Sequence, residues 1–252
     1  MCTVIVSVDP GSEVPVLLVG VRDEFSERPW LPPARHWPDR PELVGGRDLL
    51  AGGTWLAVNT ASPSVACVLN GEGRPAPEHG RLSRGELPLL LASGGSLGTL
   101  LLDHFDPFHV IRADTETVSM WSWDGLELAA TTLDTGLHMI VNSGLRPTGE
   151  MALRVDHFLP RLLAAPRPFS AGQISAGQIS AGQNGWEPWL SLVDGDGLDP
   201  GDPRALVLRR EVSDGHFWGT SSICLVALGS DRVRFDFSGR PGSGRFSPVD
   251  LA

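Results

Sequence analysis

The chain has 252 residues, 41% of them apolar, and a net charge of −10 from 20 basic and 30 acidic residues. That length and apolar content suffice for one sizeable core, so a single domain over residues 1–252 is expected. The acidic balance excludes general affinity for nucleic acid or for an anionic membrane, because phosphates and anionic lipids attract the opposite charge.

The three cysteines, Cys2, Cys67 and Cys224, are odd in number and lack CxxC spacing. They form neither a disulfide framework nor a zinc ligand set, and a reducing, cytoplasmic location is expected. No basic segment precedes the first apolar run, and Asp9-Pro10-Gly11 interrupts that run early, so no secretory signal is read. No stretch approaches the roughly 20 apolar residues needed to span a bilayer.

In chain order, residues 2–8 and 14–22 read as two strands of a hairpin joined by a Pro-Gly turn. Residues 28–41 are too rich in proline for a helix or a central strand and read as a loop. Residues 54–59 and 65–70 form a second hairpin. Ser83-Arg84-Gly85-Glu86 has the S-x-x-E capping pattern and predicts a helix through residues 87–91, with a second short helix at 96–104. Strands follow at 108–113, 117–123 and 126–132, then at 136–141, with Asp124-Gly125 the strongest hairpin signal. A helix over residues 151–164 contains Pro160.

The Ser-Ala-Gly-Gln-Ile unit then recurs from Ser170 to Gln183, too short a period for a solenoid, and reads as an insertion at about 168–185. Strands at 205–212, 221–228 and 232–237 precede an irregular tail. Ten or eleven strands, mostly in hairpins, with a few helices, predict an α+β fold with largely antiparallel sheets.

Asp194-x-Asp196 is a fragment of a calcium loop, but Ala205 stands where the closing Glu belongs, so a solvated turn is expected. The seven histidines show no metal-binding spacing, and neither a GxSxG elbow nor a P-loop is present. No metal or cofactor is therefore expected. Trp55 and Trp218 read as core residues more readily than as pocket walls. What remains is a set of polar residues at strand ends: Cys2, Arg22, Asp23, Asn70 and Asn142. An asparagine there is ordinarily a turn former, and its functional use is to donate a hydrogen bond to an oxyanion. Cys2 ordinarily starts a buried strand. With Met1 removed, it carries a thiol and an α-amine on one residue, a nucleophile beside its own base.

Met1-Cys2-Thr3, Val21-Arg22-Asp23-Glu24-Phe25 with Arg28-Pro29, Gly46-Arg47-Asp48-Leu49, Ala51-Gly52-Gly53-Thr54-Trp55-Leu56, Val68-Leu69-Asn70, Val141-Asn142-Ser143 and Trp218-Gly219-Thr220-Ser221-Ser222 together resemble the NRDE family. This family is also called the transport and Golgi organization protein 2 family. It is similar to the N-terminal nucleophile (Ntn) hydrolases, in particular the cysteine branch with penicillin V acylases and bile salt hydrolases. The resemblance implies an αββα sandwich of two antiparallel sheets. It implies Cys2 as nucleophile, Arg22 and Asp23 holding thiol and amine, Asn70 in the oxyanion hole, and Asn142 at the amine or substrate. Two departures stand out. Val21 occupies the position of the eponymous asparagine, and Gly219-Thr220 runs into Ser221-Ser222 where the family often has an arginine. Arg209 and Arg210 are the candidates to replace that arginine.

Two functions follow. One is an N-terminal-cysteine amidohydrolase that cleaves a linear amide or related acyl bond through an acyl-enzyme. The other is a non-enzymatic binding or trafficking protein on the same scaffold, with an apolar cargo such as haem or an acyl lipid.

Overall fold

The computed structural model describes residues 2–169 and 185–252. The repeat at 170–183, and most of the insertion expected around it, lie outside the described residues. Among those described, fourteen strands form two antiparallel sheets.

The first hairpin pairs β1 (Thr3–Val8) with β2 (Val16–Phe25), which runs three residues past the expected end. The proline-rich segment contains a strand, β3 (Trp30–Ala34), where a loop was expected. It lies at a sheet edge and its register slips between Leu31 and Ala34, across Pro32 and Pro33. An edge with a bulge is where a strand tolerates residues that cannot donate.

A strand not foreseen, β4 (Leu43–Asp48), follows. Its Gly45 and Gly46 look like loop residues, but they serve close packing. A Cβ on Gly45 would lie 2.4 Å from the Leu56 carbonyl oxygen, and one on Gly46 would lie 2.2 Å from the Trp55 ring. The second expected hairpin is present as β5 (Leu56–Asn59) and β6 (Ser64–Asn70).

The helix α1 (Glu86–Ala92) forms where the apolar run predicts it. The S-x-x-E capping box does not: Gly85 is the N-cap, and Ser83 Oγ instead accepts from the Gly85 N–H at 3.2 Å. The second short helix is replaced by two single 3₁₀ turns, Leu97–Thr99 and Leu102–His104. The strands β7 (Phe108–Asp114), β8 (Val118–Trp123), β9 (Leu128–Thr132) and β10 (Gly136–Val141) match expectation closely. So does α2 (Glu150–Ala164). A third helix, α3 (Glu187–Val193), forms where no element is expected; its Pro188 sits in the first turn, where a missing N–H costs nothing. The chain ends with β11 (Arg209–Ser213), β12 (His216–Leu228), β13 (Val233–Ser238) and a two-residue β14 (Ser247–Pro248) in the expected irregular tail.

One sheet has the order β10-β1-β2-β12-β13-β14, with β11 beside the start of β12. The other is the meander β3 to β9 in sequence order. Strand alternation sorts the core into three layers. Val4, Val6, Val16 and Leu18 of the first sheet face Val58, Val65 and Cys67 of the second. On the outer face of the first sheet, Ile5, Leu17, Val19 and Val21 pack against α2 and α3 through Val155, Phe158, Trp189 and Val193. Outside the second sheet, Ala57, Ala66 and Val110 pack under Leu87, Leu89 and Leu91 of α1. The layers are therefore α2/α3, sheet, sheet, α1, the expected αββα arrangement.

Phe158 is fully buried between α2 and the first sheet. Phe158→Ala is expected to cost about 3–5 kcal/mol by denaturant unfolding, from lost transfer energy and the cavity left behind.

Candidate active site

The register of the first sheet assembles the site. Thr3 pairs with Val141 of β10 on one side and Val21 of β2 on the other. One residue earlier, Cys2 therefore falls between Asn142 and Arg22. On the far side of β2, Arg22 pairs with Ser222 of β12. Four residues distant in sequence thus form one cross-strand row.

Alternation then assigns the faces. On β2, Leu18 points between the sheets, whereas Val19 and Val21 point toward α2. Continued by two residues, this sends Arg22 inward and Asp23 outward. Val21, at the position of the family's eponymous asparagine, is part of the apolar layer under α2 and does not line the cleft.

Arg22 is 5% exposed. Its Nη1 donates to Ser221 Oγ at 2.9 Å and its Nη2 to Asp48 Oδ2 at 3.2 Å, and its guanidinium lies 4.6 Å from the Trp55 ring centroid. Ser221 is the extra residue of a bulge, since Thr220 pairs with Asp23 and Ser222 with Arg22. The bulge turns the serine toward Arg22, whose carbonyl also accepts from Ser221 Oγ at 3.1 Å. Asp48 accepts from Arg28 Nε at 2.6 Å and from the N–H groups of Leu50 and Ala51. Burial pushes its carboxyl pKa up, but these hydrogen bonds and the two guanidinium charges outweigh it and hold the pKa below the usual carboxylate range. No late arginine joins this group. Arg209 stacks on Phe217 at 4.2 Å and Arg210 pairs with Glu150 at 2.7 Å, so neither replaces it.

On the outer face, Asp23 accepts from Thr220 Oγ1 at 2.7 Å and from Arg154 Nη1 of α2 at 3.4 Å. The same Arg154 atom donates to Thr3 Oγ1 at 2.8 Å. Arg154 and Asp23 are 1% and 2% exposed. Desolvation raises the pKa of Asp23 above the ordinary carboxyl value, against the opposing pull of Arg154.

Cys2 is partly exposed. Its backbone N–H donates to Asn142 Oδ1 at 3.0 Å, and its Sγ lies 3.9 Å from the Asp23 carbonyl oxygen. Desolvation of the sulfur pushes the thiol pKa up, and the Arg22 charge offsets this only in part. Asn142 is itself held: its carbonyl accepts from His109 Nε2 at 3.1 Å, which leaves His109 Nδ1 to accept from Ser122 Oγ at 2.8 Å. Burial lowers the His109 pKa, in keeping with this neutral ring.

Cys2, Arg22, Asp23 and Asn70 all line one cleft of about 560 Å³. Asn142 does not line it, and touches Cys2 from behind. Asn70 is exposed at the end of β6, and its side chain makes no hydrogen bond among the described residues. Trp55 and Trp218 both line the cleft, and Trp55 also packs against the core between the sheets, as expected.

Asp48, Arg84, Arg154 and Ser221 also belong to the site, although none of them is among the expected site residues. Arg84 enters from the loop before α1. Its Nη1 donates to the Pro107 carbonyl at 2.9 Å. Gly53 explains how that loop comes so close: a Cβ there would lie 2.4 Å from the Gly85 carbonyl carbon. The Thr54 N–H donates to the Gly85 carbonyl at 2.9 Å.

Among the described residues, no group of three or more His, Cys, Asp and Glu is placed to hold a metal. Asp194 and Asp196 are not a free solvated turn. Asp194 accepts from the N–H groups of Gly242 and Gly244, and Asp196 from His157 Nε2 at 2.8 Å. Among the described residues, no helix is long and apolar enough to cross a membrane.

Among known proteins, the family model for transport and Golgi organisation 2 matches residues 1–158. No curated protein matches the chain. Among solved structures, the Caenorhabditis elegans N-acylethanolamine-hydrolyzing acid amidase (NAAA) ortholog is similar at 9% identity with a TM-score of 0.47, covering 89% of this chain and 92% of that chain.

Arg154→Met removes the guanidinium from a buried carboxylate and is expected to cost about 3–5 kcal/mol at neutral pH. Without Arg154 the Asp23 pKa rises further, and a raised carboxyl pKa disfavours the fold as pH climbs through it. The deficit against the parent should therefore be smaller at mildly acidic than at mildly alkaline pH. Urea unfolding at both checks the magnitude and the sign.

Proposed function

The chain belongs to the transport and Golgi organisation 2 family, and on that premise we propose that it is an amidohydrolase with Cys2 as N-terminal nucleophile, cleaving a linear amide or related acyl bond. The observation that carries this reading is the placement of Cys2: its sulfur opens on a cleft lined by Arg22, Asp23 and Asn70, while its nitrogen is held by Asn142 Oδ1 at 3.0 Å.

Removal of Met1 converts that nitrogen into an α-amine. The amine takes the thiol proton as sulfur attacks the substrate carbonyl, forming a C–S bond. Burial raises the thiol pKa in the chain that carries Met1, so removal of the thiol proton falls to the α-amine that processing exposes. Asn142 keeps the amine lone pair aimed at its own sulfur. The tetrahedral oxyanion accepts a hydrogen bond from the free amide of Asn70. As the C–N bond breaks, the ammonium returns its proton to the leaving amine. Water then attacks the thioester, giving one proton to the amine, and the acid and the thiol are released. Arg22, held by Asp48, Ser221 and Trp55, keeps a fixed positive charge beside the sulfur. Asp23 anchors the strand end, tied to α2 by Arg154.

Binding of an apolar cargo such as haem or an acyl lipid is less well served by this cleft. Arg22, Glu24, Arg28, Asp48, Arg81, Arg84 and Asp106 line it, and an apolar occupant would strip water from these charges without replacing it. Saturable haem or acyl-CoA binding that survives Cys2→Ala, with no turnover of any amide, would favour the cargo reading instead.

The test is a linear-amide panel assayed with protein whose intact mass shows loss of Met1. Cys2→Ala should abolish turnover, and Asn70→Ala should lower kcat by about 10²–10³. Unchanged turnover in Cys2→Ala would refute the proposal. In protein that retains Met1, iodoacetamide labelling of Cys2 should be slow at neutral pH and still rising well into the alkaline range, as the raised thiol pKa requires.

A further inference from the structure

Among the described residues, Arg84 is a cleft guanidinium with no carboxylate in ion-pair contact, Asp106 and Glu24 acting on it only at longer range. Four arginines, Arg22, Arg28, Arg81 and Arg84, line it, together with four acids, Asp23, Glu24, Asp48 and Asp106. Asp23 is satisfied from outside the lining by Arg154. Arg22 and Arg28 share Asp48 and Glu24. Arg81 Nε lies 3.5 Å from Asp106, whose Oδ1 also accepts from the Ala76 N–H at 3.1 Å. Arg84 has no ion pair among the described residues. Its one hydrogen bond among the described residues runs from Nη1 to the Pro107 carbonyl, which leaves donors of a cleft-lining guanidinium available to a ligand.

Arg84 is also mounted firmly. The Gly53–Gly85 backbone approach and the hydrogen bond from Thr54 N–H to the Gly85 carbonyl fix its loop against the segment that carries Trp55, just before β5. A partly dehydrated, pre-positioned guanidinium fork fits a planar carboxylate through two parallel hydrogen bonds. Burial lowers the Arg84 pKa, which marks the guanidinium as poorly hydrated, while the charges of Asp106, Cys2 and Glu24 act on it without an ion-pair contact. The remaining lining includes Trp55, Val68, Leu82 and Trp218, an apolar strip beside the charged groups that suits a molecule with both an acyl chain and a charged end rather than a wholly apolar one.

We propose that Arg84 is the anion-recognition residue of this cleft and that its substrate is an acyl amide bearing a free carboxylate, of the N-acyl amino acid class. The inference rests on the amidohydrolase reading of the same cleft. Arg84 acts on binding, not on the bond-breaking steps.

The test compares N-octanoylglycine with N-octanoylglycinamide, which differ only in the terminal charge. Turnover is measured with the parent and with Arg84→Gln and Arg84→Lys. Direct binding is measured by calorimetry on the Cys2→Ala background with and without Arg84→Gln, and thermal unfolding checks that each variant is folded. The parent should prefer the carboxylate, and Arg84→Gln should shift the KM ratio of the two compounds toward the amide by roughly 10–100-fold. Arg84→Lys should retain part of the preference. Equal handling of the two compounds by the parent, or an unchanged ratio in Arg84→Gln, overturns the role of Arg84 and leaves the hydrolase reading standing. Arg84-dependent binding of N-octanoylglycine to Cys2→Ala without any turnover by the parent supports Arg84 and refutes the hydrolase reading. Neither binding nor turnover of either compound overturns the proposed substrate class.

Discussion

Two adjacent residues of one strand face in opposite directions, and the site depends on that constraint. Arg22 and Asp23 close β2 on opposite faces of the first sheet, as consecutive strand residues must. Arg22 enters the space between the sheets and meets Asp48, Trp55 and Ser221. Asp23 enters the helix layer and meets Arg154. One strand end is thereby tied to the second sheet and to α2. Cys2, its neighbour on β1, is positioned by both ties. Buried ion pairs are costly to desolvate. Here each is supplemented by neutral hydrogen bonds, from Thr220 to Asp23 and from backbone N–H groups to Asp48.

Much of this was legible from local pattern. Alternation and turn residues marked β1, β2 and the run from β7 to β10, and Cys2, Arg22 and Asp23 stood out as polar groups closing apolar strands. Asn142 was legible for the same reason, but its contact with the Cys2 nitrogen follows from β10 leaving the meander to pair with β1, a long-range register that no local pattern encodes. Arg84, Arg154 and Ser221 were passed over because each belongs to an ordinary local feature: a helix approach, an amphipathic helix and the interior of a strand. What distinguishes them is the neighbour that tertiary packing supplies. The strand β4 escaped notice because Gly45 and Gly46 resemble a loop, whereas they admit the Leu56 carbonyl and the Trp55 ring.

The Gly52-Gly53-Thr54-Trp55 segment gains a physical meaning from these contacts. Gly53 permits the loop carrying Arg84 to approach, Thr54 holds that loop through its N–H, and Trp55 covers Arg22. A motif that marks family membership in the sequence is, in the fold, the joint between the two walls of the cleft. The bulge at Ser221 does comparable work on the opposite wall. It fills the place of the expected late arginine with a hydroxyl that accepts from Arg22. The charge near Cys2 then comes from Arg22 and Arg84, on two different elements, instead of from a residue on β12.

The central claim is that the Cys2 sulfur forms a covalent acyl intermediate. The most direct measurement is intact mass followed by peptide mapping of processed protein quenched in acid during reaction with p-nitrophenyl octanoate. One octanoyl group on Cys2, disappearing as the ester is consumed and absent from Cys2→Ser protein lacking Met1, is the expected result. Acylation confined to other residues, or no adduct on Cys2 in protein shown to have lost Met1, would contradict it.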